Sequence, residues 1–256
     1  MLTRRQMITL GMMSVVPLPE RLLIQPETVT EQQKGDPADD YESVTFDPEA
    51  IRGLSQSAGR AVFEKWDSRL PAATVIAAKA FVGASRATTP ATIAQFLALF
   101  NLPMKDAHGP LAFCAAGISF CALTAYAKSV KPSTAIDSAT MRKLCPDLEH
   151  YYFYPTVSCV DMYHIAAGKR RWVDHKSSPA TLPQPGWIVL FDWAKRGSPD
   201  HCGLVDFATT KELLTVEFNT SVGEGSQRNG GVVAAKKRTY DFVYGYIVTD
   251  ARPSNG

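Results

Sequence analysis

The chain has 256 residues, 45% of them hydrophobic and 20% charged, with 27 Lys and Arg against 25 Asp and Glu. That apolar content excludes a chain disordered throughout, and a net charge of +2 argues against a dedicated nucleic-acid binder. The length fits one domain of ordinary size plus some extra chain, while five cysteines are too few for a disulfide-scaffolded miniprotein and leave at least one thiol unpaired.

Arg4-Arg5 precedes an uncharged stretch, Met7–Pro19, with the length of a signal-peptide core. The paired arginines followed by Gln-Met-Ile-Thr-Leu resemble a bacterial twin-arginine export signal. Residues 1–25 are therefore expected to be an export signal, placing the protein in the periplasm or outside the cell. Residues 26–50 carry eight acids against Lys34 and few apolar side chains, which predicts an acidic flexible linker. The remaining body is mildly basic, which suits either an anionic polymer such as a cell wall or an ordinary solvated surface.

From Ile51 the apolar residues Ile51, Leu54, Ala58, Ala61 and Val62 repeat at helical spacing after Asp47-Pro48. Pro71 separates this helix from an alanine-rich second one ending near Gly83. Thr89-Pro90 opens a third, stopped by Asn101-Leu102-Pro103. Residues 51–87 are read as an N-terminal helical region and 88–250 as the main domain. Leu111–Ala127 has no charge and is read as a fully buried helix, because a bilayer span needs about 20 apolar residues. No other segment is a good membrane span. Ser158 with Asp161 three residues on is a capping-box pattern for a helix from Cys159 to Ala167.

After Pro185-Gly186 the period changes from helix to strand. Trp187–Trp193, Cys202–Phe207, Glu212–Phe218, Gly231–Ala235 and Val243–Val248 give about five strands, and short turns between them predict an antiparallel sheet. Helices in one block and strands in the next argue for α+β.

Three positions form a nucleophile–base–orienter set. Cys114, after Pro110-Leu-Ala-Phe, falls in the first turn of the buried helix, where free N–H groups and the dipole favour a thiolate. His201 opens a strand. Glu217 and Asn219 stand two apart on another strand and so share a face. An imidazole beside a thiol takes its proton, and a carboxylate or amide on the other ring nitrogen fixes the tautomer. Such a trio is weak evidence alone.

The local motifs make it specific. Phe113-Cys-Ala-Ala-Gly-Ile-Ser-Phe, Pro185-Gly-Trp-Ile-Val-Leu-Phe-Asp-Trp, Asp200-His-Cys-Gly-Leu-Val, Glu217-Phe-Asn-Thr and Gly230-Gly-Val-Val occur in the order found in CHAP domains. These are the cysteine, histidine-dependent amidohydrolase/peptidase modules of the papain-like NlpC/P60 superfamily, and the chain resembles them over roughly residues 88–248. The resemblance implies a papain-like fold, with the nucleophile at a buried helix N-terminus packed on the sheet. It implies Cys114 as nucleophile, His201 as general base and acid, and Glu217 as orienter with Asn219 as substitute or helper. The backbone N–H of Cys114 would be one oxyanion donor. The expected function is hydrolysis of an amide bond in peptidoglycan, either between sugar and peptide or within the peptide. A related amidase on a non-wall substrate, and a non-catalytic interaction module, are the alternatives. No cofactor and no nucleic-acid partner are expected, and the chain is read as a monomer. Only Asp106 lies between Asn101 and Phe113, so the calcium loop of some family members is not expected and no metal is assigned. Phe113 replaces the usual tryptophan, Trp187 the usual aspartate, and Cys202 the usual aliphatic residue. The stretch from Cys114 to His201 is long, with an insert near Lys131–Tyr154.

Other residues carry blander expectations. Cys121 reads as a buried structural thiol. Cys145 and Cys159 flank the insert and could pair or stay free, and Cys202 could be oxidised with Cys114 or point into the sheet. His108, His150, His164 and His175 read as surface or partly buried polar groups. Tyr151–Tyr154 could line a cleft or pack the insert. Lys236-Lys-Arg238 reads as a solvated basic strand end.

Overall fold

Alanine-rich sequence between Leu70 and Val130 and strand-period sequence after residue 185 separate into a helical layer and a sheet in the computed structural model. It describes residues 69–130, 138–143, 155–223 and 225–249. The expected export signal, the acidic linker, the helix from Ile51, Cys145, His150 and Tyr151–Tyr154 lie outside these residues.

Helix α1 (Leu70–Lys79) has Pro71 in its first turn, and α2 (Pro90–Ala98) opens on its own proline, where the missing N–H costs nothing. A short hairpin follows, β1 (Lys105–Asp106) with β2 (Gly109–Pro110). Helix α3 (Cys114–Val130) holds most of the uncharged stretch and runs on through Lys128. It is buried on nearly every side, as its uniform apolarity requires: Ala115, Ala116, Ile118, Cys121, Ala122 and Leu123 have no exposed surface. Helix α4 (Cys159–Gly168) is capped by Ser158, whose hydroxyl accepts from Asp161 N at 3.1 Å. The reciprocal half of the box is altered, since Ser158 N donates instead to Thr156 Oγ1.

The sheet has six strands, one more than the sequence predicts. They are β3 (Trp172–Asp174), β4 (Ile188–Phe191), β5 (His201–Ala208), β6 (Leu213–Thr220), β7 (Val232–Arg238) and β8 (Val243–Ile247), in spatial order β3-β8-β4-β5-β6-β7 with every neighbour antiparallel. The extra edge strand β3 is three residues long and follows a helix end, too short to show a period of two. The molecule is thus α+β. Among the described residues no helix is long and apolar enough to cross a membrane.

Alternation sends Leu190, Cys202, Leu204, Val216 and Phe218 to the face covered by α1–α4. Val189, Phe191, Val205 and Leu213 go to the opposite face with an aromatic cover of Trp187, Trp193, Phe242 and Tyr246. Phe96 of α2 joins helices to sheet: its ring lies 5.2 Å from Phe120, 5.3 Å from Phe218 and 6.0 Å from Phe113. Helix α3 can approach the sheet this closely because residue 117 is glycine; a Cβ there would sit 2.2 Å from the Phe218 ring. Gly117→Ala should therefore destabilise the fold by roughly 1–3 kcal/mol through overpacking, outweighing the ~1 kcal/mol that alanine gains in helix propensity. Urea unfolding of the variant beside wild type measures the sign; an unchanged or raised midpoint would mean that Gly117 does not set this spacing.

Candidate active site

The first residue of α3 is Cys114, so the sulfur lies beside a helix N-terminus whose leading N–H groups have no intrahelical acceptor. Arg86 fixes the approach to this terminus. Its guanidinium bonds Leu111 O and lies 5.0 Å from the Phe113 ring, while Arg86 N donates to Gly231 O of the segment entering β7.

His201 is the first residue of β5 and is delivered by a tight turn. The Asp200 carboxylate accepts from Trp193 N and Ala194 N, both at 2.9 Å, and Asp192 accepts from Gly197 N at 2.7 Å. The imidazole is fully buried, stacked on Phe191 at 6.1 Å. Its Nε2 meets Glu217 Oε2 at 3.0 Å. The carboxylate can only accept, so Nε2 carries a proton. The other ring nitrogen, Nδ1, is also buried. The Cys114 thiol lies close enough for the two groups to shift one another's titration.

Glu217 pairs with Gly203 across β5 and β6, and a Cβ on Gly203 would come within 2.9 Å of Glu217 Cγ, so glycine makes room for the carboxylate. Glu217 is completely buried yet has four donors: Thr215 Oγ1 at 2.7 Å, Arg238 Nε at 2.7 Å, a second Arg238 nitrogen, and His201. Burial opposes its charge, but bonds and charge from Arg238, then from His201, hold its pKa down to about 2. Arg238 is itself 9% exposed and held between aromatic rings, its guanidinium 4.8 Å from Trp193 and 5.9 Å from Phe191.

For His201 burial lowers the pKa, but hydrogen bonding with Cys114, then with Glu217, overcomes it and raises the value to about 9. Cys114 is lowered well below the usual thiol range, first by hydrogen bonding from Cys159, then from Cys202, with His201 adding a bond and a positive charge. Cys159 is raised because it holds the proton beside Cys114, and Cys202 is raised chiefly by burial. All three shifts favour the thiolate at Cys114 over Cys159 and Cys202.

Of the sequence-predicted set, Cys114, His201 and Glu217 meet. Asn219 is buried beside them on the chain, but the strand is irregular between Glu217 and Thr220, and Asn219 has φ 61. Its amide donates to Arg228 O at 2.9 Å, so its hydrogen bonding serves the β6–β7 turn. The simple two-residue alternation that put Glu217 and Asn219 on one face breaks at this irregularity.

Other expectations are corrected in part. Arg238 was expected at a solvated strand end, with Lys236-Lys237; instead it is the buried partner of Glu217. Lys237 alone matches the solvated reading, pairing with Glu212. Cys159 is a free thiol with its sulfur 3.7 Å from Cys114 Sγ. Cys202 points to the helix face, opposite His201, and joins the other two sulfurs. Cys121 is a buried free thiol, as expected, its pKa raised by burial. His108 and His164 are exposed and His175 half-buried.

No protein-family model, curated protein or solved structure matches the chain.

The buried charges give stability a defined pH dependence. Glu217 is held below its ordinary 4.5, so the folded state gains above that value and loses the gain as pH falls toward 2. His201 is raised above its ordinary 6.5, so its gain is complete below 6.5 and is lost as pH rises through about 9. Cys114, lowered from its ordinary range, acts with the opposite sign over that interval and offsets the His201 loss. Unfolding free energy, measured in urea with reductant and chelator present, should therefore fall as pH drops below 4.5. The acid limb is worth on the order of 3 kcal/mol. In Arg238→Met the acid limb should move to higher pH, because burial then acts on Glu217 with one positive partner fewer. An unmoved limb would mean that Arg238 does not hold the carboxylate ionised.

Proposed function

We propose that the protein is a thiol-dependent amide hydrolase of the CHAP type, with a papain-like arrangement of helix and sheet, exported and acting on peptidoglycan. One observation carries the reaction class: a buried imidazole has one nitrogen on an ionised, arginine-held carboxylate and stands within bonding reach of a cysteine at a helix N-terminus. The substrate rests on the motif resemblance, the export-type N-terminus and the mildly basic body.

In this reading His201 Nδ1 holds the proton taken from Cys114, and Glu217 stabilises the imidazolium. The thiolate attacks the amide carbon. The oxyanion of the tetrahedral intermediate is met by the backbone N–H of Cys114, pre-aligned by the helix. As the C–N bond breaks, His201 returns its proton to the leaving amine, leaving a thioester on Cys114. Water, deprotonated by His201, hydrolyses the thioester to a carboxylate and restores the thiol. Glu217 acts as orienter, and Asn219 supports the turn that shapes this end of the sheet.

The test is release of new amino groups and soluble fragments from purified peptidoglycan of several chemotypes. Cys114→Ala should abolish release, and His201→Ala should lower it by about 10²–10⁴-fold, with circular dichroism unchanged. Glu217→Gln should cost far more than Asn219→Ala. Mass spectrometry of the fragments names the bond. Wild type inactive on every chemotype would overturn the wall substrate, and activity surviving in Cys114→Ala would overturn the nucleophile.

A further inference from the structure

The hydrolase reading uses one of three thiols that converge on the site. Cys114 opens α3, Cys159 opens α4 and Cys202 follows His201 on β5; their sulfurs all lie within 4.8 Å of one another. All three are free and buried. Amide hydrolysis needs neither Cys159 nor Cys202 as a reacting group, and a purely apolar wall would pack here without the hazard of oxidation.

We propose that Cys114, Cys159 and Cys202 form a binding site for a thiophilic divalent cation of zinc's size. Two features support it. The spacing fits: at a zinc–sulfur distance of about 2.3 Å, two thiolates of a tetrahedral site lie about 3.8 Å apart, and Cys114 and Cys159 Sγ are 3.7 Å apart. The other two sulfur pairs need to contract by no more than about 1 Å to reach that edge. Charge also fits: helices of 17 and 10 residues direct their N-termini at two of the thiols, favouring the negative charge that three thiolates bring.

The three thiols meet at the buried junction of α3, α4 and β5. Binding forms three sulfur–metal bonds, the thiols' remaining protons pass to solvent, and the fourth position of a tetrahedral site is left to an outside ligand. The site does not depend on the hydrolase reading. One consequence does: a bound cation occupies the Cys114 sulfur, so metal and amide substrate exclude one another.

Cobalt(II) titration of the reduced, chelator-stripped full chain tests the site without reference to activity. The expected result is one cobalt per chain, with thiolate-to-metal charge-transfer absorption and intense tetrahedral ligand-field bands, both displaced by zinc. Cys159→Ser and Cys202→Ser should each lose the charge-transfer intensity. Because a serine variant could fail to fold, wild type is also alkylated with and without zinc and mapped by mass spectrometry. Zinc should shield Cys114, Cys159 and Cys202 together. Absence of the bands in wild type, their persistence in both serine variants, or shielding of other cysteines instead would overturn the site. If zinc binds but no amide substrate is ever cleaved, the metal site stands and the hydrolase reading falls; cleavage without metal binding gives the reverse.

Discussion

A carboxylate with no exposed surface must be neutralised where it stands, and Glu217 is the group around which this end of the molecule is organised. Stripping an ion of water costs several kcal/mol, recovered only by close partners with good geometry. Arg238 supplies two of its nitrogens, Thr215 a hydroxyl and His201 an imidazole N–H. Each partner constrains a different strand. Arg238 ends β7, His201 begins β5, and Gly203 leaves the space between them. The aromatic rings of Phe191 and Trp193 then keep water from the guanidinium. The imidazole is left with one orientation and one tautomer.

The helical layer has a separate task, to bring a sulfur to that imidazole. Phe96 gathers Phe113, Phe120 and Phe218 into one packed group, and Gly117 lets α3 lie directly on the Phe218 ring. Cys114 is one turn from this contact. Small changes in helix–sheet spacing therefore act directly on the thiol–imidazole distance.

Much of this was legible in the chain. The proline starts of α1 and α2, the uncharged run of α3, the Ser158 cap and five strand runs each follow from local rules that tertiary structure did not override. His201 and Glu217 meet because both are on the same face of adjacent strands, which a period of two foretells once the register is known. Register was the missing quantity. Lys236-Lys-Arg238 looks like a solvated strand end because nothing local shows that Arg238 can reach back along β6, from its pairing with Leu213 to the carboxylate of Glu217. A run of basic residues ending a strand that neighbours a buried acid was the available signal. Asn219 went the other way: its left-handed backbone, tolerable for asparagine, interrupts the alternation that placed it beside Glu217. Cys159 and Cys202 were visible only as separate thiols, since their meeting depends on how α4 is laid against the sheet.

The central claim is that hydrogen bonding from Cys159 and Cys202, with the bond and charge of the Glu217-held His201, holds the Cys114 thiol well below its ordinary range. The most direct measurement is the pH profile of iodoacetamide labelling at Cys114, read by peptide mass spectrometry in reduced, chelator-treated protein, for wild type and Glu217→Gln. The account predicts a wild-type midpoint well below the ordinary thiol value of about 8.5 and a midpoint displaced upward in the variant. A wild-type midpoint at or above the ordinary value, or one unmoved by Glu217→Gln, would contradict it.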